Sequence, residues 1–214
     1  MKYTESFERI TEEKRNKIFE SAITEFAEHG FDSANINKIA QNAGVSIGSM
    51  YKYFNSKEDL FLTIIHFGVE ATKAVLEEIM RGEGDLLTRI EKIIKAIQFQ
   101  SRSNVHLTML YNEMAIESHS DLVWKIVSDM EGVTAGLYSS LIKEAQEAGT
   151  VRKDIDAKLF AFFLDNLFIL LQFSYSCEYY KERLKLFVGE DVFGKDELVA
   201  EQLLKFIKGA FFLI

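Results

Sequence analysis

Between Ile36 and Phe54 the chain carries two short apolar patterns of helical period with a glycine between them, and few folds accept that combination. Ile36, Ile39, Ala40 and Ala43 fall at i, i+3, i+4 and i+7, one apolar face of a helix about two turns long. Gly44 follows where the helix needs a residue at ease in a left-handed turn, and Val45 gives the turn an apolar plug. A second helix is predicted from Ser46. Its Met50, Tyr53 and Phe54 point back to the first, which leaves Gly48, Tyr51 and Lys52 on the opposite face. Two short helices joined by a tight glycine turn make a helix-turn-helix, although an ordinary helical hairpin shares the pattern.

The outward face has a chemistry of its own. Ile47 and Ser49 flank Gly48, Tyr51 and Lys52 at 100° per residue. Gly48 admits a close backbone approach, Tyr51 and Lys52 offer donors to phosphates or base edges, and Ile47 offers an apolar surface suited to a thymine methyl. Ser56-Lys57-Glu58-Asp59 is a capping box that opens a further helix and sets Lys57 and free N–H groups at its start, a natural phosphate contact. From Ser33 to Lys57 there are three lysines (Lys38, Lys52, Lys57) and no acid, in a chain of formal net charge -8. Contact with a polyanion is therefore expected to be local.

With these residues in view, a family resemblance is plain. A helix from about Thr11 to Gly30, then Phe31, Ile39-Ala40, Ala43-Gly44-Val45-Ser46, Tyr51-Lys52-Tyr53-Phe54 and Ser56-Lys57-Glu58 resembles the N-terminal domain of the TetR family of bacterial transcriptional regulators. The likeness covers about the first 60 residues. Ile47 and Asn55 depart from the family's commoner basic residue and proline. The resemblance implies double-stranded operator DNA as partner, with Asn35, Asn37, Ser46, Ile47, Gly48, Ser49, Tyr51, Lys52, Tyr53 and Lys57 as the DNA-binding set.

The chain has 214 residues, 48% of them hydrophobic, and no proline. That is enough apolar material for a sizeable core, and the long 3.6-period segments leave almost no room for strands. The expected class is all-α, with a three-helix DNA-binding domain over residues 1–55 and a helical effector-binding and dimerisation domain over residues 56–214. Cys177 is the single cysteine, so no intramolecular disulfide can form. The charged N-terminus lacks a signal-peptide core, and a cytoplasmic location is expected.

Taken in order, Thr11 is a plausible N-cap, and Ile18, Phe19, Ala22, Phe26 and Ala27 form the apolar stripe of the first long helix. One helix is predicted from Ser56 to about Arg81 with no linker inside it, and others over about 85–102, 105–118 and 120–148. Leu159 to Tyr175 is apolar nearly all round. Its 17 residues are short for a membrane span, and Asp165, Asn166 and Gln172 interrupt it, so burial against the protein's own core and a partner subunit is the better reading. With a last helix over about 196–212 it predicts a four-helix dimer interface that includes Asp165, Phe168, Leu203 and Phe206, as the resemblance also implies.

The remaining candidates are weaker. His106, Glu113, Glu117 and His119 are close in sequence but lack the spacing of a helical metal site, so neither metal nor cofactor is expected. No phosphate loop or nucleophile elbow points to an enzyme. An effector pocket lined by Phe99, Tyr111, Trp124, Phe162, Phe163 and Asn166 would favour an apolar or aromatic molecule, in a chain with 18 phenylalanines. The expected function is a homodimeric, ligand-responsive transcriptional regulator, most readily a repressor on a palindromic operator. The alternative is a dimeric DNA-binding factor without an effector.

Overall fold

The computed structural model describes residues 2–116 and 120–213; of residues 112–116, 120–127, 129 and 130 it describes the backbone only. Regular structure there is helical: α1 (Glu5–Glu8), α2 (Glu12–Ser33), α3 (Ile36–Asn42), α4 (Ile47–Tyr53), α5 (Lys57–Arg81), α6 (Leu86–Ser103), α7 (Val105–Ile116), α8 (Ser120–Glu147), α9 (Ala157–Ser176), α10 (Glu178–Val188), a 3₁₀ turn (Val192–Gly194) and α11 (Asp196–Phe211). Among the described residues the one extended pairing is an isolated bridge between Val151 and Phe212. The class is all-α, as expected. The chain forms two compact units, residues 1–72 with 106–126 and residues 73–105 with 127–214.

The N-terminal unit is built on α2. Thr11 Oγ1 accepts the Lys14 N–H at 3.3 Å, and Ile18, Ala22, Phe26 and Ala27 are buried along one stripe. At Gly30 the backbone enters the left-handed region (φ 71°), which ends the main run before a last short turn. The sequence pattern gave residues 1–10 no element, because a four-residue helix has no readable period. In the fold, Phe7 of α1 is buried against Phe54 at 4.7 Å and Phe19 at 5.5 Å between ring centroids. Tyr111 of α7 reaches α5 at Gly68, where any Cβ would collide with the phenol oxygen. That oxygen is buried without a hydrogen-bond partner, and burial raises the phenol above its usual range.

The C-terminal unit has its own core. Ile90, Ile93 and Ile94 of α6, Tyr138 and Ile142 of α8, Phe160, Leu164, Phe168 and Leu171 of α9, and Ile207 and Phe211 of α11 are all buried in it. Asp156 caps α9 by accepting the N–H groups of Lys158 and Leu159. The helix is apolar nearly all round but two-sided in the chain: Leu159, Phe162, Phe163 and Leu170 are exposed opposite the buried row. It is long and apolar enough to cross a membrane, yet its inner face is committed to this core.

A polar clamp joins three helices at one end of that core. Gln98 Nε2 donates to Tyr175 Oη and to the Asp196 carbonyl, both at 3.0 Å, and Tyr175 Oη donates to Asp196 Oδ1 at 2.9 Å. Arg102 closes it with bonds to Asp196 Oδ1 and the Phe193 carbonyl and a guanidinium 4.9 Å above the Tyr175 ring. A half-satisfied buried amide network is costly. Gln98→Ala should therefore lower the urea unfolding free energy by about 1 to 3 kcal/mol. Lys95→Ala, which removes exposed bridges to Glu91 and Glu197, should stay within about 0.5 kcal/mol of the parent.

Candidate nucleic-acid interface

The turn between α3 and α4 closes as a Schellman motif. Gly44 sits at φ 67°, Val45 N–H donates to the Ala40 carbonyl at 2.9 Å, and Gly44 N–H donates to the Gln41 carbonyl at 3.1 Å. Both starts are capped: Asn35 Oδ1 accepts the Asn37 N–H, and Ser46 Oγ accepts the Ser49 N–H while pairing with Ser49 Oγ. Glu25, buried on α2, accepts the Asn35 N–H at 2.9 Å and so fixes where α3 begins. Met50, Tyr53 and Phe54 face the core.

What α4 turns outward is the expected set. Tyr51 is 53% exposed, Ile47, Gly48 and Lys52 are exposed, and Ser49 is half-buried. A Cβ on Gly48 would meet only Ser46 Oγ, at 3.9 Å, so the chain itself has no need of a glycine there. Asn35, the N-cap of α3, and Asn37 and Lys38 within that helix are exposed as well. The N-terminal segment holds this pair from the other end, with Thr4 N–H on the Tyr53 carbonyl at 3.0 Å and Thr4 Oγ1 on the Lys52 carbonyl at 2.7 Å.

A family model described as "Bacterial regulatory proteins, tetR family" matches residues 18–64, the stretch that holds this geometry. Over that stretch the chain is a TetR-type N-terminal domain. Among its relatives, the fatty acid metabolism regulator protein of Bacillus subtilis is 25% identical over 149 residues, 68% of this chain and 75% of that one. The probable acrEF/envCD operon repressor of Escherichia coli K12 is 24% identical over 159 residues, 72% of each chain. The crystal structure of the transcriptional regulator FadR from Bacillus subtilis in complex with stearoyl-CoA shares the fold, with TM-score 0.72 and 19% identity over 88% of this chain and 97% of that one.

Within this TetR-family unit two expected contacts are placed otherwise. Tyr53 is buried, its ring 6.0 Å from Phe7, so it supports α4 from behind rather than facing a ligand. Lys57 Nζ donates to the Asp32 and Ala34 carbonyls at 2.8 and 3.2 Å and lies 5.0 Å over the Phe31 ring. It ties the α2–α3 link to α5. Thr4, Phe7 and Glu25 were missed as positioning residues, because contacts across 48 residues or from a buried acid leave no periodic trace.

The pocket candidates differ in their settings. Phe99, Phe162 and Phe163 are exposed, Asn166 Nδ2 donates to the Phe162 carbonyl, and Tyr111 belongs to the N-terminal unit. Because α9 is apolar on both sides, residue type alone cannot tell its two faces apart. The side chains of Trp124 and Glu113 and all of Glu117 and His119 lie outside the described residues. Among the interface candidates Phe206 is exposed and Leu203 half-buried, but Phe168 is buried inside the protomer, edge-on to Tyr138 at 5.7 Å. A buried ring cannot also face a partner.

Asp165 is half-buried on α9. Burial first and the neighbouring Glu131 second push its carboxyl up to about 6, and burial raises Glu131 as well. The folded carboxyl thus holds its proton more tightly than the unfolded one, whose value is about 3.9. The stability it contributes is complete below about pH 4 and is lost as pH rises through the folded value. Asp165→Asn should therefore be more stable than the parent at pH 7.5, with the two converging as pH falls to about 4. Urea titrations at stepped pH check this; a constant offset, or one that grows on acidification, would contradict it.

Proposed function

We propose that this chain is a transcriptional repressor that binds a palindromic operator as a homodimer, with one α4 in the major groove at each half-site. The observation that carries this reading is an α4 face on which the Ile47, Tyr51 and Lys52 side chains and the bare Gly48 are exposed together. Tyr51 and Lys52 reach base edges or phosphates, Ile47 meets a thymine methyl, and the bare Gly48 lets the DNA come close. Asn35, Asn37, Ser46 and Ser49 flank that contact, while Tyr53 and Lys57 act by holding the helices. Two-fold symmetry then sets the half-sites about 34 to 36 Å apart, or a multiple of that. Such a protein works in the cytoplasm.

Release by a small apolar molecule completes the proposal. The relative bound to stearoyl-CoA and the phenylalanine-rich composition favour it. α5 runs unbroken over Lys57–Arg81, so displacing its C-terminal half would move the end that carries the DNA-binding helices. The exposure of Phe99, Phe162 and Phe163 favours a second reading, in which the C-terminal unit serves association alone.

Operators selected from random duplexes provide the test. Tyr51→Ala and Lys52→Ala should each weaken specific binding by about 1 to 3 kcal/mol in fluorescence anisotropy. Gly48→Ala should raise stability by up to about 1 kcal/mol, since helix interiors favour alanine, and yet weaken the operator complex. Wild-type affinity in the Tyr51→Ala, Lys52→Ala double variant would sink the assignment. Stearoyl-CoA, the first probe, should lower operator affinity by about 5- to 150-fold if a ligand of that class is the effector. No response to it or to a panel of apolar and aromatic molecules would favour the second reading.

A further inference from the structure

No residue of α10 is buried. Eleven residues make too short a helix to persist in water by itself, and α10 lies along α9 and against the 3₁₀ turn. Tyr180 supplies part of that contact, its ring 5.3 Å from Phe173. The other side is open. Tyr179, Arg183, Leu186 and Phe187 fall at i, i+4, i+7 and i+8, with Tyr179 72%, Leu186 86% and Phe187 77% exposed. The Arg183 guanidinium lies 5.0 Å over the Phe187 ring, while Lys181 and Lys185 are paired within the helix to Glu178 and Glu182. Single exposed apolar residues are ordinary, but several on one stripe form a patch, and tyrosine, phenylalanine and arginine are the types enriched at protein interfaces.

This patch continues another. On α9 the exposed Leu159, Phe163 and Leu170 lie on a stripe that runs on at helical spacing to Phe173, the ring on which Tyr180 packs. We infer that α10 is an arm of the self-association surface: its Tyr179, Arg183, Leu186 and Phe187 stripe docks on a second copy of this chain and extends the α9–α11 interface. The inference rests on the homodimer proposed above. Area supports it. The exposed apolar side chains of α9 and α11 offer roughly 700 Å², near what one partner buries in a standard interface, about 800 Å². Those of α10 add roughly 500 Å², which brings the surface to the size of permanent dimers.

Sedimentation of the full chain across a micromolar concentration series tests the arm. Leu186→Glu with Phe187→Glu should weaken the dimer about tenfold or more with unchanged helical circular dichroism, since both residues are exposed. Phe163→Glu, run in parallel, reports on the parent α9 interface. If Phe163→Glu dissociates the dimer and the α10 variant keeps wild-type affinity, the arm is wrong and the homodimer stands; a monomeric wild type removes both. Should the α10 variant lose helicity, a benzophenone side chain at position 187 in the otherwise natural chain replaces it. Irradiation of mixed light and heavy nitrogen samples should then give cross-links between copies. Cross-links only within one chain, or none, overturn the inference.

Discussion

A two-turn helix cannot hold itself in water, and everything distinctive about the N-terminal unit follows from how α4 is held. Its inner residues Met50 and Tyr53 and the following Phe54 are buried, its start is capped by Ser46, and its last carbonyls receive Thr4. α3 is fixed in turn by Glu25 and by the closure at Gly44. With every inward group committed, what this unit can recognise rests on the residues that α4 turns outward.

The C-terminal unit answers a different constraint. α9 must bury one apolar row against α6, α8 and α11, and its opposite row is apolar as well. The clamp of Gln98, Arg102, Tyr175 and Asp196 anchors α6, α9 and the start of α11 to one another, so the outer rows are displayed on a rigid base. Asp165 adds a destabilising charge beside Glu131 at neutral pH, a local cost tolerated within an otherwise consistent core.

Several features were legible in the sequence because they are local. The period of 3.6 located α2 to α9 and α11, and Gly44 and Ser46 marked the turn and cap by residue type. The outward set Ile47, Gly48, Tyr51 and Lys52 followed from angle alone, since seven residues on a helix have only one way to divide into faces. The family resemblance reached the same residues from another direction.

Tertiary structure decided what period cannot encode. Phe7 has no periodic neighbours, yet it fills the space beside Phe54 that the fold creates. Lys57 could have faced a phosphate by position, but the carbonyls of Asp32 and Ala34 lie within reach of its ammonium group. On α9 the sequence by itself determined that both sides are apolar, whereas only packing could choose Phe168 for the interior and Phe162 and Phe163 for the surface. The reason is physical: burial depends on which other helix arrives at a face, and that is a property of chain segments far apart in sequence.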